Sequence, residues 1–199
     1  MMAISVRFLL FISLLFSRGA LMSEEKNFTE EEYALMSRYV HEIVDTFEKE
    51  MKERFGLSCT SQGGSMPYDI QSIGIGFASY QQATIEEARE LEIRATERFV
   101  EMVNAHEAIR PYLRDFPWNH NRTEITISFR QKNGTYYPQG VRFIFQAKEQ
   151  VFYYGPKKSP SEVSATIKEE SYAEAKNIVN STPSCLKPVQ KKKEWFGWL

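Results

Sequence analysis

Cysteine and histidine are both scarce, two and three among 199 residues. His41, His106 and His120 nowhere stand four residues apart, so the helical two-histidine zinc pattern is missing, although His41-Glu42 and His106-Glu107 begin like it. No metal or cofactor is expected. Glycine and proline, at 10 and 8, are too few for collagen or a low-complexity linker, and the composition also excludes a coiled coil. Charge of one sign is absent in bulk, with 25 Lys and Arg against 26 Asp and Glu, which argues against a nucleic-acid surface held by phosphate contacts. No internal repeat is visible. What remains is an ordinary globular mix, 42% hydrophobic, expected to form one domain.

The single long apolar run is at the start. A lone Arg7 precedes nine apolar or small residues, Phe8 to Phe16, and Ser17-Arg18-Gly19-Ala20 then offers small residues to a peptidase. Nine helical residues span about 14 Å, far less than the ~30 Å hydrocarbon core, so residues 1–22 read as a signal peptide rather than a spanning helix. No cysteine follows the run, which argues against bacterial lipidation there. The body is therefore expected in an exported compartment: periplasmic, envelope-associated or secreted.

In such a compartment Cys59 and Cys185 can bridge, closing a loop of about 126 residues and stabilising by about 4 to 5 kcal/mol in the chain-entropy model. That bridge would staple the C-terminal segment to the body. Four Asn-x-Ser/Thr sequons, at Asn27, Asn121, Asn133 and Asn180, matter only in a eukaryotic cell, which the sequence does not show, and carry no weight.

Thr29-Glu30-Glu31-Glu32 is a capping box flanked by a Phe28/Tyr33 hydrophobic staple. From it, Tyr33, Met36, Val40, Ile43, Val44, Phe47, Met51 and Phe55 recur at helical steps until Gly56, with Glu48/Lys52 and Glu50/Arg54 paired on the outer face. A short strand over 57–61, a Gly/Ser loop over 62–69 and a strand over 70–79 follow. In the latter, Ile73, Ile75 and Phe77 face one way and Ser72, Gly74, Gly76 and Ala78 the other, so a helix or a ligand can approach the glycine side closely. Thr84-Ile85-Glu86-Glu87 opens a second, longer helix that runs until Pro111. Residues 123–130 alternate as a half-buried strand, Asn133-Gly134 turns the chain, and Val141, Phe143, Phe145 and Ala147 alternate again before a return over 151–154. These three strands form a meander, and 159–180 reads as strand then helix. The expected architecture is α+β: an antiparallel sheet of about five to six strands, covered on one face by two long helices, with a third short helix near the C-terminus. The domain is placed at 28–180 and a tail at 181–199.

No motif fixes a reaction. Gly63-Gly64-Ser65-Met66-Pro67 has only the first half of a nucleophile elbow and joins two strands where the elbow needs strand to helix. Gly74-Ile75-Gly76 lies inside a strand, not at the helix N-terminus a phosphate site needs. The enzyme alternative is a small hydrolase using Cys59 or Ser65 with His106 or His120, since a thiolate or alkoxide needs a neighbouring base. His106 on the apolar helix face reads first as a hydrogen-bonded core residue, and His120 as an available loop residue. The aromatic surplus offers binding residues instead: Tyr136, Tyr137, Tyr153 and Tyr154 from neighbouring strands, with Trp118 at the entrance, would make a stacking wall suited to sugars or peptides. The competing account is that a half-covered sheet needs large inner residues.

The tail carries Lys191-Lys192-Lys193 and then Trp195, Phe196, Trp198 and Leu199, a basic-aromatic end able to dock on a membrane or in a partner's groove. Three segments, Gly64-Ser65-Met66-Pro67-Tyr68-Asp69, Ala83-Thr84-Ile85-Glu86-Glu87-Ala88-Arg89-Glu90-Leu91 and Ile109-Arg110-Pro111-Tyr112-Leu113-Arg114, resemble a family of uncharacterised exported proteins of chlamydia-like, host-associated bacteria. The resemblance covers about 28–180 and excludes the basic-aromatic end. It implies bacterial export and carries over no catalytic residue. The reading is a non-enzymatic exported binding or structural module at the envelope or host interface, its partner a protein, a glycan or a membrane surface, with the hydrolase and a tail-docked peripheral membrane protein as alternatives.

Overall fold

The computed structural model describes residues 28–156 and 164–186; residues 1–22, expected as a signal peptide, and the basic-aromatic end, with Trp195, Phe196 and Trp198, lie outside the described residues. Helix α1 (Glu30–Phe55) starts where the capping box puts it: Thr29 Oγ1 accepts from the Glu32 amide at 3.2 Å while the Glu32 carboxylate accepts from the Thr29 amide at 2.8 Å. The Phe28 and Tyr33 rings meet edge-on at 6.0 Å, forming the staple. Gly56 ends the helix in the left-handed region at φ 68, which costs glycine nothing. Arg54 and Glu50 pair as expected, at 2.6 Å, whereas Glu48 turns to Gln62 Nε2 at 2.5 Å.

Six strands follow: β1 (Ser58–Ser65), β2 (Ser72–Ser79), β3 (Thr123–Phe129), β4 (Phe143–Ala147), β5 (Gln150–Tyr154) and β6 (Thr166–Ser171). They lie in sequence order across one sheet. The sheet is mixed, not antiparallel: β2 and β3 run parallel, Ile75 beside Ile125 and Phe77 beside Ile127. The cause is helix α2 (Ile85–Ala105), which lies between them in the chain and supplies the crossover that parallel neighbours need. The Gly/Ser stretch expected as a loop is the second half of β1, with Gly63 opposite Gly74 and Ser65 opposite Ser72. Backbone pairing is indifferent to small side chains, so composition misplaced it.

Helix α2 begins at the Thr84 capping box and stops at Ala105, earlier than Pro111 suggested. His106 caps the following 3-10 turn, Glu107–Tyr112, by accepting from the Ile109 amide at 3.2 Å. Helix α3 (Tyr172–Ser181) follows β6 directly, capped by Ser171. Phe47 of α1 meets Phe77 of β2 at 5.8 Å and Phe99 of α2 at 5.0 Å, which fixes both long helices on the same side of the sheet as Ile73, Ile75, Phe77, Ile125, Ile127, Phe129 and Ile144. No helix packs on the glycine side of β2, contrary to one expectation, because all the bulky β2 residues face the other way.

Candidate functional site

The strand registers define a continuous row on the side away from the helices: Ser61, Gly76, Thr126, Phe145, Phe152 and Glu169, one from each strand. A second row runs Ser128, Phe143, Tyr154, Thr166, and a third Gly63, Gly74, Glu124. Among the described residues no element packs over these rows. One half of this face is a trough floored by glycine, serine and threonine. The depression over Ser61, Gly63, Gly74, Gly76, Glu124 and Thr126 holds about 440 Å³, and its continuation past Thr126 towards Phe145, Asn121 and Lys148 about 520 Å³. At Gly76 a Cβ would come within 2.3 Å of Ser61 Oγ, so a larger residue there needs the Ser61 hydroxyl to rotate away, whereas Gly74 has ordinary room.

The other half is an aromatic ridge. Phe143 and Tyr154 stack at 4.3 Å with planes 8° apart, Phe145 and Phe152 at 5.2 Å and 22°, and Phe145 and Tyr154 at 5.8 Å and 16°. Near-parallel rings packed flank to flank cover one another's faces and turn their edges outward. The four rings stay half-buried, which is the exposure of a ridge with no layer above it.

This ridge is not the expected tyrosine wall. Tyr153 is 0% exposed and faces the helices, because adjacent residues of a strand point to opposite sides. Of the four tyrosines only Tyr154 reaches the open face. Tyr136 and Tyr137 belong to the connection between β3 and β4, where Tyr136 lies 3.7 Å under the Arg142 guanidinium and the Tyr137 hydroxyl donates to the Tyr80 carbonyl. Trp118 guards no entrance: it is 2% exposed and donates its ring N–H to Thr123 Oγ1 at 2.9 Å. Phe143, Phe145 and Phe152 were missed as site residues. Phe143 and Phe145 read as inward-facing partners of Val141, while the buried alternates are Ile144 and Gln146.

The nucleophile candidates are not assembled. Both cysteines are free, so the expected staple is absent. Cys59 donates to the Ser61 carbonyl at 3.6 Å, and burial together with the facing Glu48 carboxylate pushes its thiol up to about 11, away from the thiolate a nucleophile needs. His106 is committed to its cap and lies 3.7 Å from Glu42. His120 stacks on Tyr172 at 4.0 Å and reaches Glu149 at 3.2 Å. Neither histidine is bonded to Cys59 or Ser65. Among the described residues no cluster of three or more His, Cys, Asp or Glu could hold a metal, and no helix is long and apolar enough to cross a membrane.

The C-terminal segment is held without a disulfide. Glu90 on α2 accepts from the Cys185 amide at 2.8 Å and from its thiol at 3.1 Å, and from Arg94 at 2.7 Å. Burial opposes the charge on Glu90, but hydrogen bonds from Ser184, Arg94 and Cys185 outweigh it and bring the carboxyl down to about 2. The same carboxylate and burial push Cys185 up to about 11. Cys185→Ser keeps an O–H donor to Glu90 and should shift the thermal midpoint by no more than a degree or two, whereas loss of a covalent staple would cost far more. The melting curve of the variant under oxidising and reducing conditions checks this, and a drop seen only under oxidising conditions would restore the bridge.

Comparison with protein-family models, with curated proteins and with solved structures returns no match for this chain.

Proposed function

We propose that this chain is a non-enzymatic exported binding module, and that its uncovered sheet face docks a partner protein presenting a flat, largely apolar patch. The observation that carries the reading is the row Ser61, Gly76, Thr126, Phe145, Phe152, Glu169: one face of a six-stranded sheet divided into a low polar trough and a raised aromatic ridge, with nothing upon it among the described residues. A sugar ring needs the flat face of an aromatic to stack on, and here those faces are spent on one another. An anionic membrane needs a cationic field. The charges on these rows are the carboxylates of Glu124 and Glu169, and the nearby Arg122 is already paired with Asp115.

Size agrees with a protein partner of modest affinity. Six strands about 4.8 Å apart and about 20 Å long present roughly 500 Å² a side, so a complex buries about 1,000 Å², the low end of specific interfaces. The hydrolase alternative loses support because Cys59 faces a carboxylate and, among the described residues, His106 and His120 are engaged elsewhere and neither is bonded to Ser65.

Photo-crosslinking in the producing cells tests the reading, with benzoylphenylalanine at Phe145 and, as control, at Lys49 on the exposed side of α1. A single protein crosslinked from position 145 alone is expected. Thr126→Arg, which fills the trough, and Phe145→Glu, which breaks the ridge, should each weaken the purified complex at least tenfold by calorimetry, with the thermal midpoint of Thr126→Arg close to the parent's. Crosslinks from both positions alike, or from neither, overturn the proposal, and a crosslink only to a second copy replaces the partner with self-association.

A further inference from the structure

Four of the seven asparagines are followed two residues later by threonine: Asn27 by Thr29, Asn121 by Thr123, Asn133 by Thr135 and Asn180 by Thr182. Threonine is only about one residue in twenty, so chance would supply less than one such triplet. Local structure explains some of the hydroxyls without explaining the pattern. Thr29 caps α1 and Thr182 Oγ1 donates to the Ile178 carbonyl at 2.7 Å, yet serine or aspartate caps a helix as well, and neither role asks for an asparagine two residues earlier.

We infer that the chain is an N-glycosylated export, modified at Asn133 and Asn180. Asn133 sits at the tip of the β3–β4 connection, where the Gly134 amide closes a turn onto the Gln131 carbonyl at 2.9 Å. Its side-chain oxygen accepts from the Thr135 amide at 3.0 Å and from Thr135 Oγ1 at 2.7 Å. That leaves Nδ2, the atom that takes the sugar, without a protein partner among the described residues. The tip is open: a Cβ on Gly134 would meet nothing within 4 Å. Asn180 is exposed in the last turn of α3, and its side chain makes no bond to the described residues. Asn121 differs. Its Nδ2 donates to Glu149 at 2.6 Å, and Thr123 is buried beneath the Trp118 ring N–H, so the fold accounts for that triplet. Asn27 lies outside the described residues.

The co-reactant is an oligosaccharide carried on a polyprenyl diphosphate in a secretory membrane. Its C1–O bond to the diphosphate breaks, a C1–Nδ2 bond forms, the amide loses one proton, and the lipid diphosphate departs; no oxidant or reductant enters. The proposal places export in a glycosylating secretory pathway, unlike the bacterial setting that the sequence resemblance implies. Neither Asn133 nor Asn180 lies in a strand of the open face. The inference rests on export and not on the binding-face reading.

Chain recovered from the cells that make it naturally, digested with peptide N-glycosidase in heavy-oxygen water, is expected to show Asn-to-Asp conversion with label at positions 133 and 180. In a glycosylating secretory cell line, Asn133→Gln and Asn180→Gln should each remove one mobility step. Thr135→Ala should remove the Asn133 step while leaving the asparagine in place. An intact mass equal to the bare polypeptide, whether the chain is secreted or retained in the cytosol, overturns the inference. The crosslinking result from position 145 is unaffected by either outcome, so the two proposals fail separately.

Discussion

Glu170→Ala is expected to lower the stability of the fold by about 3–5 kcal/mol, the scale on which breaking a buried pair leaves its partner charged and unanswered. Glu170 lies on β6 with its side chain 1% exposed, and Arg89 reaches it from α2 with Nε at 2.7 Å and Nη2 at 3.2 Å, itself 7% exposed. The Tyr153 hydroxyl from β5 and Lys168 Nζ, at 3.3 Å, complete the shell. Burial opposes ionisation of Glu170, but Arg89 and Tyr153 outweigh it and hold the carboxyl below its usual range. The pair ties an edge strand to the central helix, so Ile167 and Glu169 on the open side of β6 depend on it for position. Urea denaturation of Glu170→Ala, Arg89→Met and the double variant Arg89→Met/Glu170→Leu measures the effect. Either single change should cost several kcal/mol, and the double change should recover most of it, because two apolar groups of similar volume leave no buried charge. A loss under 1 kcal/mol for Glu170→Ala would mean that β6 is held by its backbone ladder alone.

Glu92→Gln should do the opposite and stabilise the protein, increasingly so as pH rises. Glu92 projects from α2 into the core at 0% exposure, and neither carboxyl oxygen finds a hydrogen-bond partner among the described residues; Thr96 Oγ1 and Gln146 Oε1 are similarly unanswered. Burial raises its pKa well above 4.5, opposed only weakly by the Gln146 backbone. The neighbouring ionisable groups are the phenols of Tyr153 and Tyr172, both raised by burial and by their own glutamate partners, so no cation favours the charged form. In the fold the carboxyl therefore holds its proton to higher pH than it does in the unfolded chain. The folded state binds the extra proton, so stability falls as pH climbs from about 4.5 towards the raised pKa, by up to ~1.4 kcal/mol per pH unit. Glutamine keeps the shape and removes the proton. Melting curves of both proteins at intervals from pH 5 to pH 8 should diverge with the variant above the parent, and parallel curves would show that Glu92 takes up no proton on folding.

Much of the local structure was legible because its causes are local. The two Thr-x-x-Glu capping boxes and the alternation of Ile125, Ile127 and Phe129 each depend on residues within a turn or a strand's length, and the structure places α1, α2 and β3 on them. The strand-then-helix reading near the C-terminus also holds, as β6 and α3. The site was poorly legible. Phe143, Ile144 and Phe145 are all apolar, so alternation cannot tell which faces the helices; the β3–β4 register decides it by placing Ile144 beside Ile127 and Phe145 beside Thr126. The Gly/Ser run of β1 looks like a loop until Gly74 and Ile75 lie opposite it.

By itself the amino-acid order determined where helices begin, which stripe of each is apolar, that strands and helices segregate into an α+β domain, and where the asparagine-threonine triplets fall. Periodicity, capping and composition act over a few residues and survive without a partner. Only the tertiary structure decided that β2 and β3 run parallel, that the cysteines stay apart on separate carboxylates, that Arg89 meets Glu170 eighty-one positions away, and that all three helices crowd one side of the sheet. Those outcomes are set by which elements exclude water together, a property of pairs distant in the chain, and the bare face with its trough and ridge is the remainder they leave.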